Sequence, residues 1–449
     1  MRPIKDLLAG QAFKQTLQKS LLVTSIALLA ACGSDSDSTT VNTEFTALTA
    51  DTVPAGFTYS TSTDTATYYA DEVYGPDVRN KFDIFLPVQA EGSEAPTSLI
   101  IFVHGGGFFA GDKSDAIYSF ATGSPVPDAA NIADVNEVLD AGVAYATINY
   151  SLLDVPGFSS DATITENDTV GISKSLSDVK EALQYIRHNA AEFNVDPAKI
   201  AMYGESAGAS SSLWLAYSDD MADTSASASS NASASTRIVA AGAIETQGSM
   251  DVVRWEEILE PLQVTLEVAA TFTLPLMESV LAIPATQGEE VPGTASIALI
   301  EASTGDIADF RATLDFPALI DAEDPAVFVS NANPDWTLQI TGDNLVEIGT
   351  IAATVPVKLA AAAVEFAEGG DRAAGIALHD EVSVMSARAD VLGPLIVNGL
   401  LHAPTHASTI ATAAAEAGAT VVANIPFLGM PEPNGITVIP FLLEELGEL

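Results

Sequence analysis

Apolar and polar residues alternate from Phe57 to Val88, as in TATYYADEVYG and KFDIFLPV, the period-two pattern of antiparallel strands with one face in water. SLIIFVHG (98–105) and VAYATINYSL (143–152) are instead continuously apolar, which suits strands covered on both faces, as in a parallel sheet. Between them DAANIADVNEVLDAG carries a helix. Leu176, Val179, Leu183 and Ile186 then fall at helical spacing on one face of SKSLSDVKEALQYIRHNAAEF, and Asp196-Pro197 turns the chain into the strand KIAMYG. RIVAAGAIE and AVFVSNA (326–332) repeat the buried-strand pattern. THASTIATAAAEAG reads as a helix with Thr405 as its cap, and TVVANIPF and ITVIPFLLEEL close the chain as strand and helix. Strand and helix alternate, so the class is α/β, a mostly parallel central sheet with helices on both faces.

Two stretches break the alternation. Residues from about 250 to 312 form an apolar, mostly helical segment around WEEILEPLQVTLEVAATFTLPLMESVL, interrupted by Pro261 and Pro275. It is expected to be either a lid over the sheet edge or a packing insert without substrate contact. Residues from about 345 to 398 form a second, alanine-rich helical insert. ADTSASASSNASAST (222–236) has no apolar period and reads as a solvated loop. One domain is expected over residues 57–449. Its 48% apolar content supplies a large core, and a single cysteine, Cys32, leaves no disulfide framework to help it.

Chemistry enters at Gly204-Glu205-Ser206-Ala207-Gly208, where a buried strand gives way to a helix. A serine in that turn projects from the carboxyl edge of the sheet, and flanking glycines let neighbouring backbones approach it. His104-Gly105-Gly106-Gly107-Phe108 also follows a buried strand, and its consecutive glycines expose backbone N–H groups that can face a developing alkoxide. With these two motifs in this order the chain resembles the α/β-hydrolase esterases, in particular the carboxylesterases and hormone-sensitive-lipase-like enzymes. Similarity also runs through FDIFLP, LIIFVHGGGFFAGDKS, INYSL and SDVKEALQYIRHNAAEFNVDPAKI. The resemblance covers about residues 65–245 and is ragged afterwards. It implies an α/β-hydrolase fold, Ser206 as nucleophile, and the amides of Gly106, Gly107 and Ala207 as oxyanion hole. It also implies His104 as a brace of its loop and structural roles for Glu205 and Asp178. It implies an ester substrate and no metal or organic cofactor.

In that family the acid follows the next-to-last strand and the histidine the last. AVFVSNANPDW puts Asp335 in the first place, with Asp343 in reserve. The second place reads LGMPEPNG and holds no histidine. Of the five histidines, His188 lies on the polar side of a helix and His379 in the alanine-rich insert, which leaves His402 and His406 in LLHAPTHASTI. A helix beginning there starts at the carboxyl edge of the sheet, so its first turn can reach the crevice, and its positive terminus favours neutral imidazole. His406 is preferred and His402 is the second choice. A third reading has no base at all, and makes the chain a catalytically silent surface binding protein on a hydrolase fold.

The N-terminus bears on location. Arg2, Lys5, Lys14 and Lys19 precede the apolar run LLVTSIALLAA, the layout of a secretory signal over residues 1–31. Leu29-Ala30-Ala31-Cys32 resembles the lipobox of bacterial lipoproteins, which implies a lipidated Cys32. A flexible tether, GSDSDSTT onward, runs to residue 56. Gly33 after the cysteine implies sorting to the outer membrane of the cell envelope. The formal net charge of −43 excludes nucleic acid as a partner and disfavours polyanionic substrates; nothing in the pattern sets the oligomeric state. Cys32→Ser is expected to abolish metabolic labelling with a palmitate analogue and to leave the protein soluble or unprocessed, as read by fractionation. A mature N-terminus elsewhere by mass spectrometry would overturn the assignment.

Overall fold

The computed structural model describes residues 50–51, 66–88, 95–118, 128–153, 171–225, 228–262, 264, 306–332, 342–366, 372–432 and 434–449. Cys32, all of its tether except residues 50–51, Asp335 and most of the first insert lie outside them. The strands are β1 (Thr67–Val73), β2 (Lys81–Leu86), β3 (Thr97–Val103), β4 (Ala144–Ile148), β5 (Val195–Glu205), β6 (Ala240–Ile244), β7 (Ala326–Ser330) and β8 (Val421–Asn424). They form one sheet in the order β1-β2-β4-β3-β5-β6-β7-β8. The β1–β2 and β2–β4 pairs are antiparallel and every later pair is parallel. The antiparallel pairs are the alternating segment near the N-terminus, and the parallel ones are the continuously apolar runs. This is the α/β-hydrolase fold.

Helices α1 (Ala129–Asp140), α2 (Ser173–His188) and α3 (Ala207–Tyr217) connect the parallel strands, with α9 (Pro404–Ala417) between β7 and β8 and α10 (Val438–Leu446) at the end. Side chains of β3 show how both faces are covered. Leu99, Ile101 and Val103 join the core against α2, α3 and α9, whereas Ile100 and Phe102 join the core against α1 and α10. All five are buried to 9% exposure or less, each contributing on the order of 1.5–3 kcal/mol of burial. Two details depart from the sequence reading. Asp196-Pro197 lies inside β5, absorbed by a register shift between Thr97 and Leu99 of β3, where Leu99 pairs with Ile200. The 222–236 loop is pinned to α2, since Gln184 Nε2 donates to the carbonyls of Ala232 and Ala234 at 2.9 and 2.8 Å.

The inserts attach differently. At the ends of the first lie α4 (Trp255–Leu259), α5 (Asp306–Ala312) and α6 (Phe316–Leu319). Two bidentate pairs staple those ends together: Arg311 holds both carboxylate oxygens of Asp251 at 2.9 and 3.0 Å, and Arg254 holds both of Asp315 at 2.9 and 2.5 Å. The second insert is two long helices, α7 (Gly342–Phe366) and α8 (Arg372–Leu401), and α8 runs past the expected boundary at 398 into the edge of the sheet. Asp343, the reserve acid, is the second residue of α7. Among the described residues no helix is long and apolar enough to cross a membrane.

Arg311 and Asp251 are 13% and 12% exposed, against 47% and 42% for the Arg388–Glu347 pair that joins α8 to α7. Breaking a buried pair strands a charge, whereas an exposed pair is screened by water. Arg311→Met is therefore expected to cost roughly 3 kcal/mol in urea denaturation and Arg388→Met far less. Equal costs would show that the staple is as solvated as the surface pair.

Candidate active site

Strand β5 ends at Glu205, which is exposed at the sheet edge, and α3 begins at Ala207, so Ser206 must turn the chain alone. It does so at φ 53° and ψ −113°, a conformation that costs an L-residue on the order of 1–3 kcal/mol and persists only when neighbours impose it. They do: the Ser206 amide donates to the Ile244 carbonyl of β6 at 2.9 Å, and its carbonyl accepts from the Ser210 amide at 3.0 Å. Gly208 allows α3 to press against β3, for a Cβ there would lie 2.0 Å from the Val103 carbonyl oxygen.

The HGGG loop runs beside this turn. A Cβ on Gly105 would stand 3.0 Å from the Glu205 carbonyl oxygen and 3.5 Å from Ser206 Cβ. Gly106 and Gly107 sit at φ 97° and 62°, and the Gly106 carbonyl accepts from the Phe109 and Ala110 amides at 3.1 and 3.0 Å. That bend leaves the amides of Gly106 and Gly107, like that of Ala207 at the start of α3, without an acceptor among the described residues. His104 lies under the loop, fully buried and stacked on Tyr150 at 4.2 Å. Its Nδ1–H donates to the Gly105 carbonyl at 2.8 Å, and Nε2 faces Arg79 Nη2 at 3.4 Å. Burial and the Arg79 charge push it down to about 3, so it is neutral. Asp178 is buried on α2 and accepts from the Ser151 amide at 2.8 Å.

His402, not His406, meets the serine. Its Nε2 is 2.9 Å from Ser206 Oγ, and its Nδ1 is 2.9 Å from Asn398 Oδ1. An amide oxygen only accepts, so Nδ1 carries the proton and Nε2 presents its lone pair to the hydroxyl. Asn398 and His402 stand one helical turn apart, and the His402 amide still donates to the Asn398 carbonyl at 3.0 Å, so the two side chains share one face at the end of α8. Burial pushes His402 down to about 4, opposed only by the hydrogen bond with Asn398.

The preference for His406 fails because both of its ring nitrogens are engaged elsewhere. Nδ1 accepts from the Gly248 amide at 3.0 Å, Nε2–H donates to the Leu400 carbonyl at 2.9 Å, and the ring packs edge-on against Trp255 at 5.0 Å. It is fully buried and pushed down to about 4 by that burial. The expected Thr405 cap is also absent: α9 starts with Pro404, its N-cap is Ala403, and the buried Thr405 hydroxyl has no hydrogen-bond partner among the described residues. His188 and His379 are exposed, away from the serine. Asn398 was missed on sequence because it sat at the assumed edge of an insert; its i, i+4 spacing to His402 was the available signal.

A family model, BD-FAE, matches residues 82–344, more than half of the chain. The chain belongs to the BD-FAE family. The BD-FAE match includes both glycine motifs and ends in α7, before Asn398 and His402. Among curated proteins, the chain is 31% identical over 121 residues to "Cholinesterase 1" of Branchiostoma lanceolatum, covering 26% of this chain and 29% of that protein. It is 28% identical over 130 residues to "Fumonisin B1 esterase" of Sphingopyxis macrogoltabida, covering 28% and 21%. The chain thus spans less than a third of the length of these relatives. Among solved structures, a truncated carbohydrate esterase from gut microbiota aligns at TM-score 0.40 and 18% identity, over 75% of this chain and 99% of that one.

His406 yields a prediction with a definite sign. Its folded pKa, about 4, lies below the ordinary 6.5, so between those values the unfolded chain binds a proton that the folded one excludes. Stability is complete above about 6.5 and falls as pH drops towards about 4. His406→Gln keeps an acceptor and a donor but does not titrate. The wild type should lose roughly 3 kcal/mol more than this variant between pH 6.5 and 4 in urea denaturation, following 1.36 kcal/mol per unit. Parallel curves would mean that His406 titrates normally in the fold.

Proposed function

We propose that this BD-FAE chain is a serine-type carboxylic-ester hydrolase that works through an acyl-enzyme. The observation that carries the reading is the 2.9 Å approach of His402 Nε2 to Ser206 Oγ, with Nδ1 engaged by Asn398. Ser206 Oγ attacks the ester carbonyl carbon while its proton passes to His402 Nε2. The alkoxide that forms is held by the amides of Gly106, Gly107 and Ala207, and His402 then returns the proton to the departing alcohol. Water, deprotonated by the same imidazole, attacks the acyl carbon and frees Ser206. Asn398 fixes the tautomer and the ring plane but adds no charge; among the described residues no carboxylate meets the ring, and Asp335, the expected acid, lies outside them.

The names of the relatives, a cholinesterase and a fumonisin B1 esterase, support ester cleavage as the reaction class for this chain. The Leu29-Ala30-Ala31-Cys32 pattern supports an enzyme tied by lipid to the bacterial envelope, on its outer membrane. The alternative, a silent binding protein, had its support in the missing histidine after β8; His402 supplies an imidazole from another element.

A fluorophosphonate probe should add one phosphonyl group to the wild type and none to Ser206→Ala, read by intact mass. His402→Ala should lower turnover of a p-nitrophenyl ester about 10²-fold to 10⁴-fold. The acid limb of wild-type turnover should lie near pH 4, below the ordinary histidine value, and Asn398→Asp should move it upward by placing a negative charge beside the ring. A wild type that neither takes the label nor hydrolyses short or long acyl esters would favour the binding protein.

A further inference from the structure

Helix α8 ends one residue before His402 because Pro404 has no amide hydrogen with which to continue it, which leaves the carbonyl of Leu400 without its helical donor. Around this break three buried side chains from other elements donate to the backbone. His406 Nε2 holds the Leu400 carbonyl at 2.9 Å, Gln247 Nε2 the Leu401 carbonyl at 3.0 Å, and Asn331 Nδ2 the Ala403 carbonyl at 3.0 Å. The residues held flank His402 on both sides. Gln247 follows β6 and is 3% exposed; its Oε1 accepts from Ser210 Oγ at 2.8 Å. Ser210 lies one turn beyond Ser206, whose carbonyl its amide holds at 3.0 Å.

We propose that Gln247 is a positioning residue for the reaction, bridging the helix behind the nucleophile to the backbone of the base. The proposal rests on the ester-hydrolase reading. The orientation of the amide follows from chemistry: the Leu401 carbonyl can only accept, so the nitrogen faces it and the oxygen faces the Ser210 hydroxyl. Two connections then join the same pair of elements. One runs through Ser206 Oγ and His402 Nε2, and the other through Ser210, Gln247 and Leu401. During turnover the first is broken as Oγ bonds to the acyl carbon, and the second keeps His402 in register for the leaving alcohol and the incoming water. Of the three side chains, only Gln247 reaches both α3 and the break; His406 and Asn331 tie it to the loops after β6 and β7.

The test uses the full chain, a p-nitrophenyl butyrate assay and the fluorophosphonate label. Gln247→Leu removes both hydrogen bonds and should lower kcat about 10-fold to 100-fold, the scale of a misplacement near 1 Å, with KM within about twofold. Gln247→Glu separates positioning from packing. As the neutral acid it donates to Leu401, and as the carboxylate it repels that carbonyl. His402 and His406, which border the backbone it holds, are pushed down to about 4 and stay neutral over the range used. The rate of Gln247→Glu relative to wild type should therefore fall about tenfold or more from pH 5 to pH 8, with circular dichroism showing folded protein throughout. Should Gln247→Leu fail to fold, that ratio decides alone. A Gln247→Leu kcat within twofold of wild type, or a Gln247→Glu ratio that does not change with pH, overturns the proposal. An inert, unlabelled wild type overturns the hydrolase reading and the bridge with it, whereas an active wild type beside unaffected variants overturns the bridge alone.

Discussion

Carbonyl groups at the end of a helix need donors, and at the end of α8 the backbone of the next helix cannot supply one to Leu400 because Pro404, which has no amide hydrogen, stands at its first position. An unpaired buried carbonyl costs on the order of 1–3 kcal/mol, so the chain must bring donors from elsewhere. It brings them from the loop after β6, the loop after β7 and the first turn of α9, through Gln247, Asn331 and His406. These hydrogen bonds, together with Ile396 and Leu400 buried in the core, hold the end of the second insert at the sheet edge. Held there, its last turn carries Asn398 and His402 to Ser206. A polar requirement of the backbone on either side of His402 thus helps to set the geometry of the candidate site.

The sheet supplies the rigid half. Ser206 keeps an unfavourable backbone conformation because β5 and α3 are both locked, the strand between β3 and β6 and the helix against buried side chains on every face. Close packing makes such strain sustainable, since relaxing it would move strand and helix together. The HGGG loop borrows the same rigidity through His104, whose ring is stacked on Tyr150 and hydrogen-bonded within the loop it supports. Burial keeps that imidazole uncharged, so it braces the loop without competing for protons.

Two histidines four residues apart, His402 and His406, have equally lowered proton affinity and opposite surroundings. One presents a free lone pair to a hydroxyl; the other spends both nitrogens on backbone groups. Desolvation sets the protonation state of each, and hydrogen-bond partners set what each can do. Among the described residues His402 meets the neutral Asn398 rather than a carboxylate, in a chain whose net charge is −43.

The amino-acid sequence by itself determined the layers and the rigid half of the site. Strand character, alternation with helices and the Ser206 elbow beside the HGGG loop are consequences of local pattern, because periodicity and glycine act over a few residues. It left His406, His402 or no base at all, and went no further. Which of them meets Ser206, the place of Asn398 and the contacts of Gln247 and Asn331 were decided by the tertiary structure. Gln247 lies 154 positions from Leu401, whose carbonyl it holds, and Asn331 lies 72 positions from Ala403. Local propensity cannot encode such a pairing; only the meeting of the sheet edge with the end of α8 creates the unpaired carbonyls that these side chains answer.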